Sequence, residues 1–187
     1  MTLGEGKRKV LMLLDEYSAG GTVTKDADID KKMADFFGMA QKEIAGHKRI
    51  IRTVELEPDG SGRGCPLPGD FQKLVCVWRA GRLESGFPVV AGKLMTRPGD
   101  DAVLLVEYFA KPQTIGPDTP DEYEFEVDED AANCMPYFVA AQHLLPDLVV
   151  DYSAFWNMYL TMRAALDVSL PEKGGGRVRQ ALFRAGR

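Results

Sequence analysis

Between Glu57 and Asp70 the chain reads Pro58-Asp59-Gly60-Ser61-Gly62-Arg63-Gly64-Cys65-Pro66-Leu67-Pro68-Gly69, and no helix can cross that stretch. Proline removes an amide donor and glycine carries the largest backbone entropy, so together they enforce turns. The hydrophobic pattern changes across it. Upstream, apolar residues recur at helical spacing; downstream, Val and aromatic residues gather in short runs. Helical blocks on either side of β-like runs point to an α+β architecture.

Upstream, Val10, Leu13, Leu14 and Tyr17 fall at i, i+3, i+4 and i+7, which predicts an amphipathic helix over Lys7 to Tyr17, ended by Ser18-Ala19-Gly20-Gly21. A longer helix is expected from about Asp26 to Arg49, with Ile29, Met33, Phe36, Phe37, Ala40 and Ile44 on one face. Asp26, Asp28 and Asp30 crowd its start, and Lys48, Arg49 and Arg52 its end, both complementing the helix dipole.

Downstream, Leu74 to Trp78 reads as a strand followed by a turn at Ala80-Gly81. Val89 to Met95 and Ala102 to Phe109 flank Arg97-Pro98-Gly99-Asp100 and read as a hairpin. Tyr123, Phe125 and Val127 alternate with Glu122, Glu124 and Glu126, as in a strand with one wet face. Helix returns after Asp128-Glu129-Asp130. Pro136 is expected in or near a first turn, with Tyr137 to Leu145 as a short apolar helix. Ser153 is the expected cap of a last helix carrying Phe155, Tyr159, Met162 and Leu166, ended by Pro171 and Gly174-Gly175-Gly176.

The order of elements predicts an α+β fold: a helical bundle core of about four helices, an inserted small antiparallel β-sheet, and a flexible C-terminal tail. The expected segments are 1–56 (N-terminal helices), 57–128 (β-rich insert), 129–170 (C-terminal helices) and 171–187 (basic tail).

Charge follows the same divisions. The 187 residues carry a net charge of −5, but residues 99–151 hold thirteen acids against Lys111 alone. Residues 171–187 hold Lys173, Arg177, Arg179, Arg184 and Arg187 against Glu172. Opposite fields on one molecule favour head-to-tail contacts or insertion of the tail into a partner.

Chemical motifs are sparse. His47 and His143 stand 96 positions apart, and Cys65, Cys76 and Cys134 lack zinc or redox spacing. Ser18, Ser61, Ser85, Ser153 and Ser169 lack the flanking glycines of a nucleophile elbow. Gly86 to Gly92-Lys93 has five intervening residues, one too many for a phosphate loop, and Leu94 stands where Ser or Thr would hold magnesium. The glutamates near Tyr123 read as the solvated side of a strand rather than a glycosidase pair. Lys7-Arg8-Lys9 and Lys48-Arg49 are small clusters without a nucleic-acid module. No enzyme, catalytic residue, cofactor or metal is predicted. Neither a membrane span nor a secretory leader is expected, and the odd set of cysteines reads as reduced thiols of a cytoplasmic product.

Four stretches carry a resemblance. They are Val10 to Ser18 with Asp28 to Met33 and Ala40 to Ala45; Pro66-Leu67-Pro68-Gly69-Asp70-Phe71; Val106 to Pro112 with Ile115 and Tyr123 to Val127; and Pro136 to Ala141 with Phe155 to Tyr159. In these the chain resembles the head–tail connector (adaptor) proteins of tailed bacteriophages and prophages, over nearly its full length. The Pro-Leu-Pro-x-Asp-Phe pattern and the Tyr-x-x-x-Pro of Tyr108 to Pro112 are the more telling pieces. The long β insert departs from the smaller, mostly helical connectors, so adaptor, stopper and other neck roles stay open.

The resemblance implies a structural virion protein made in the bacterial host cytoplasm and located in the neck, joining head to tail. Implied partners are the portal protein, a tail-proximal neck or stopper protein, and the chain itself in an oligomeric ring, for which a dodecamer is one candidate count. No membrane and no sequence-specific nucleic acid is implied. Arg177, Arg179, Leu182, Phe183 and Arg184 are the expected protein-binding residues, ordering on an acidic groove. The alternative from another class is a carbohydrate- or protein-binding β module on a helical stalk, with Tyr108, Phe109, Tyr123 and Trp78 as a stacking platform. An unrecognised enzyme is the third reading, and it requires a convergent pocket holding a perturbed acid or base.

Overall fold

A computed structural model describes residues 1–14, 27–146 and 151–166. In them the chain forms α1 (Leu3–Leu13), α2 (Ala27–His47), β1 (Ile50–Leu56), β2 (Cys65–Pro66), β3 (Phe71–Arg79), β4 (Arg82–Glu84), β5 (Val89–Val90), β6 (Lys93–Leu94), β7 (Leu104–Ala110), α3 (Glu129–Leu144) and α4 (Ser153–Ala164). This is an α+β mix of four described helices and small antiparallel sheets. No described helix is long and apolar enough to cross a membrane. Residues 171–187 lie outside the described residues, and with them the expected tail.

The first helix begins four residues before the expected Lys7. Thr2 and Glu5 form a capping box: the Glu5 amide donates to the Thr2 hydroxyl (3.2 Å) and the Thr2 amide to the Glu5 carboxylate (2.9 Å). Two more first-turn amides, of Leu3 and Gly4, donate to the carbonyls of Tyr123 (2.8 Å) and Asp121 (2.9 Å). The N-terminus of α1 is thus stitched to residues 121–125, which leave a turn at 121–122 and pass beneath it. The strand expected over Tyr123–Val127 is not a strand. Among the described residues its one bridge is Thr2 with Glu124, and no described strand lies alongside to complete a ladder. The alternation of faces is nevertheless real, with Phe125 and Val127 buried and Glu124 exposed.

The helical core gathers Leu3, Val10 and Leu11 of α1, Met33, Phe37, Ala40 and Ile44 of α2, Met135, Phe138 and Val139 of α3, and Tyr159 of α4. Lys7, only 5% exposed, is held by Asp30 (3.0 Å) and Asp121 (2.8 Å), tying α1 to α2 and to the turn at 121–122. Pro136 lies inside α3 rather than in its first turn, since the helix starts at Glu129 after the cap Asp128, whose carboxylate accepts from the Ala131 amide (3.0 Å). Ser153 is the first residue of α4 and not its cap; its amide donates to the Asp151 carboxylate at 2.8 Å.

Ile50–Leu56, expected to lie within the helical segment, is β1 and pairs along its whole length with β7. One sheet runs β1-β7-β3-β4 and a second β2-β6-β5, all antiparallel. The hairpin expected between Val89–Met95 and Ala102–Phe109 does not form. A turn at Ala91-Gly92 splits Val89–Met95 into β5 and β6, while β7 pairs with β1 and β3. The Arg97–Asp100 turn exists, with the Asp100 amide donating to the Arg97 carbonyl at 3.1 Å, but it links the two sheets instead. Leu56, Cys65, Val77, Leu94, Leu104 and Val106 form a second core between them.

Candidate functional site

Successive residues of β1 point to opposite faces, so Arg52, Val54 and Leu56 share the inner phase with Tyr108, Val106 and Leu104 of β7. A guanidinium on that phase requires carboxylates, and two converge on it from distant segments. Asp70, from the Pro66–Phe71 stretch, and Glu126, from the acidic segment, both pair with Arg52. Burial alone would lower the Arg52 pKa; Glu126 and Asp70 outweigh that and raise it, so the charge is fixed. The Tyr108 hydroxyl donates to Asp70 at 3.1 Å, and burial, then that carboxylate, push its pKa up. The Phe71 ring stands 5.7 Å from Tyr108, and the Lys111 amide donates to the Asp70 carbonyl at 2.8 Å.

Gln41 of α2 completes the joint from the helical side. It is fully buried; its amide nitrogen donates to the Gln113 carbonyl (3.2 Å) and the Tyr123 hydroxyl (3.1 Å), and its oxygen accepts from the Glu126 amide (3.0 Å). The Glu126 carboxylate also accepts from the Gln113 amide at 2.7 Å. A cavity of about 450 Å³, lined by Arg52, Asp70, Lys111, Gln113 and Glu126 among others, opens beside this cluster. Chemically it is a set of matched charges that locks the β sheets to the helices. Glu126 is therefore not the solvated glutamate its alternation predicts: its side chain is 19% exposed and doubly engaged.

Arg52, Gln41 and Glu126 escape a motif scan. The usable signal is a charged residue on the inner phase of β1, since a buried charge needs a partner. The predicted protein-binding residues Arg177, Arg179, Leu182, Phe183 and Arg184 lie outside the described residues. The four aromatics of the alternative platform are not on one surface. Tyr108 is buried on the inner sheet face and Tyr123 packs against the helical core, whereas Phe109 and Trp78 occupy the outer face.

A second polar group sits on the helices. Arg163 of α4 pairs with Glu43 of α2 at 3.1 Å, and buried atoms of Glu43, His47, Tyr159 and Arg163 lack partners. The cysteines are free and separate. Cys76 donates its thiol to Glu107 at 3.1 Å; burial first and that carboxylate second push its pKa up to about 11. Among the described residues, no three or more His, Cys, Asp or Glu side chains come together as a metal site.

Compared with protein-family models and with curated proteins, the chain matches none.

Proposed function

We propose that this chain is a structural subunit of a tailed-phage or prophage neck, forming a ring that docks on the portal protein and receives a tail-proximal neck or stopper protein. One observation carries the reading. The stretches that bear the resemblance to head–tail connectors, Pro66–Phe71, Tyr108–Pro112 and Tyr123–Val127, lie far apart in sequence yet meet in a single joint around Arg52 and Gln41. Matched charges and hydrogen bonds that lock two parts of the chain together suit a protein that works through its shape.

The joint also has a mechanical consequence. A ring closes only if each subunit presents two different surfaces at a fixed angle. Charge-paired, hydrogen-bonded side chains between the helices and the sheets hold such an angle. The basic tail, with Arg177, Arg179, Leu182, Phe183 and Arg184, supplies the portal contact in this reading, ordering on an acidic groove.

The test is a binding assay on portal rings from the same phage genome, with the full chain and a version lacking residues 172–187. The full chain should bind, and the shortened one should keep its circular dichroism and melting transition but lose binding. Undiminished binding by the shortened chain overturns the role of the tail; no binding by the full chain overturns the neck reading.

A further inference from the structure

Among the described residues, no other element covers the outer face of the four-stranded sheet. Its residues follow from the register: Ile51, Thr53 and Glu55 of β1 lie beside Phe109, Glu107 and Leu105 of β7, which lie beside Lys73, Cys76 and Trp78 of β3. Leu83 of β4 extends the last row from Trp78, and Val103 lies two residues before Leu105. Ile51, Leu83 and Val103 are 45%, 52% and 50% exposed, unusual for side chains of this kind grouped on one face.

The two ends of this face are alike in being apolar and opposite in charge. At one end, Ile51 and Phe109 stand with Lys73 and with Arg49, whose guanidinium lies over the Phe109 ring at 6.0 Å. At the other end, Leu105, Trp78, Leu83 and Val103 stand with Glu55, and Glu57 is exposed two residues on. We propose that this face pairs with the same face of a second copy, through a two-fold axis in the plane of the interface running across the strands at the Thr53–Glu107–Cys76 row. That operation lays the basic end of each copy over the acidic end of the other, with apolar side chains meeting between them.

Size sets the strength. Strands of seven (β1), seven (β7), nine (β3) and three (β4) residues, spaced about 4.8 Å apart with a rise of roughly 3.3 Å per residue, give on the order of 400 Å² in plan. That is about half of what each partner contributes to a stable complex. The pair is therefore weak, monomeric when dilute and paired when concentrated. A two-fold contact cannot propagate around a ring, so the pairing belongs to the unassembled chain and stands apart from the neck reading.

Sedimentation equilibrium over a wide concentration range tests it. The weight-average mass of the unaltered chain should rise from one copy toward two. A chain carrying Arg49→Glu and Lys73→Glu has two acidic ends, and one carrying Glu55→Lys and Glu57→Lys has two basic ends. Each should self-associate about tenfold more weakly or worse. An equimolar mixture of the two should recover association. Glu107→Gln, which removes the like charges meeting on the axis, should tighten the pair. Circular dichroism of each variant is the check that it is folded. An unaltered chain monomeric at every concentration, or a mixture no tighter than its components, overturns the proposal, and the face is then left to a different protein.

Discussion

Gly38 lies where α2 passes the Ile115 carbonyl: a Cβ built there would stand 2.6 Å from that oxygen. Gly46, in the same helix, has nothing within 4 Å. Gly38→Ala should therefore cost about 1–3 kcal/mol through a forced backbone shift. Gly46→Ala should gain up to about 1 kcal/mol from helix propensity. Denaturant unfolding of the two variants separates the effects, and equal signs would contradict the packing described. Charge pairs give a second measurable consequence. For Lys7, burial lowers the pKa, but the bonds to Asp121 and Asp30 outweigh it and raise the folded value. Its contribution is thus complete below the unfolded lysine pKa of about 10.4 and is lost as pH rises through the folded value. Asp128 runs the other way: burial raises its pKa, but Lys48 and the Ala131 amide outweigh it and lower the folded value. Its contribution is complete above the unfolded value of about 3.9 and is lost as pH falls. Stability against pH should fall at both ends. Lys7→Met should shrink the alkaline fall and Asp128→Asn the acid one, and unchanged curves would refute these assignments.

The two dipeptides Ala80-Gly81 and Ala91-Gly92 do the same work at the scale of elements. Each joins paired strands through two residues with positive φ, 46° and 76° in the first and 49° and 74° in the second. These are the left-handed values of a two-residue hairpin, where alanine is strained and asparagine is preferred. Ala91→Asn should raise stability by about 0.5–1 kcal/mol in thermal unfolding; a loss would mean the turn is of another type. The first of these turns was legible because the strand before it, Leu74–Trp78, ends in a clear break. The second was masked by Val89 and Val90, whose β preference spreads across the turn. Similar competition hid β1: Lys48, Arg49 and Arg52 look like the basic end of α2, yet Ile50, Ile51, Thr53 and Val54 carry the β-branched pattern of a strand. The α1 start was also readable, in Thr2-x-x-Glu5. The face of the 123–127 segment was readable too, but its lack of a partner strand was not, because pairing is decided by which segments meet in space. The Arg52–Asp70–Glu126 joint belongs to that class: its members come from β1, a proline-rich turn and an acidic segment, and no local pattern links them.

At the scale of the whole molecule, two hydrophobic cores, one among helices and one between sheets, are bound by a polar joint centred on Arg52 and Gln41. In the neck reading this joint sets the angle between the surfaces that neighbouring subunits share, and the charge division between the acidic 99–151 segment and the basic tail orients each copy on its partner. The outer sheet face governs a separate and weaker association of free chains. The decisive measurement for the neck reading is electron microscopy of the full chain mixed with rings of a portal protein encoded in the same genome. Our account predicts a closed collar of this protein seated on the tail-proximal face of the portal. Bare portals beside free protein, at concentrations well above those needed for subunit pairing, would contradict it.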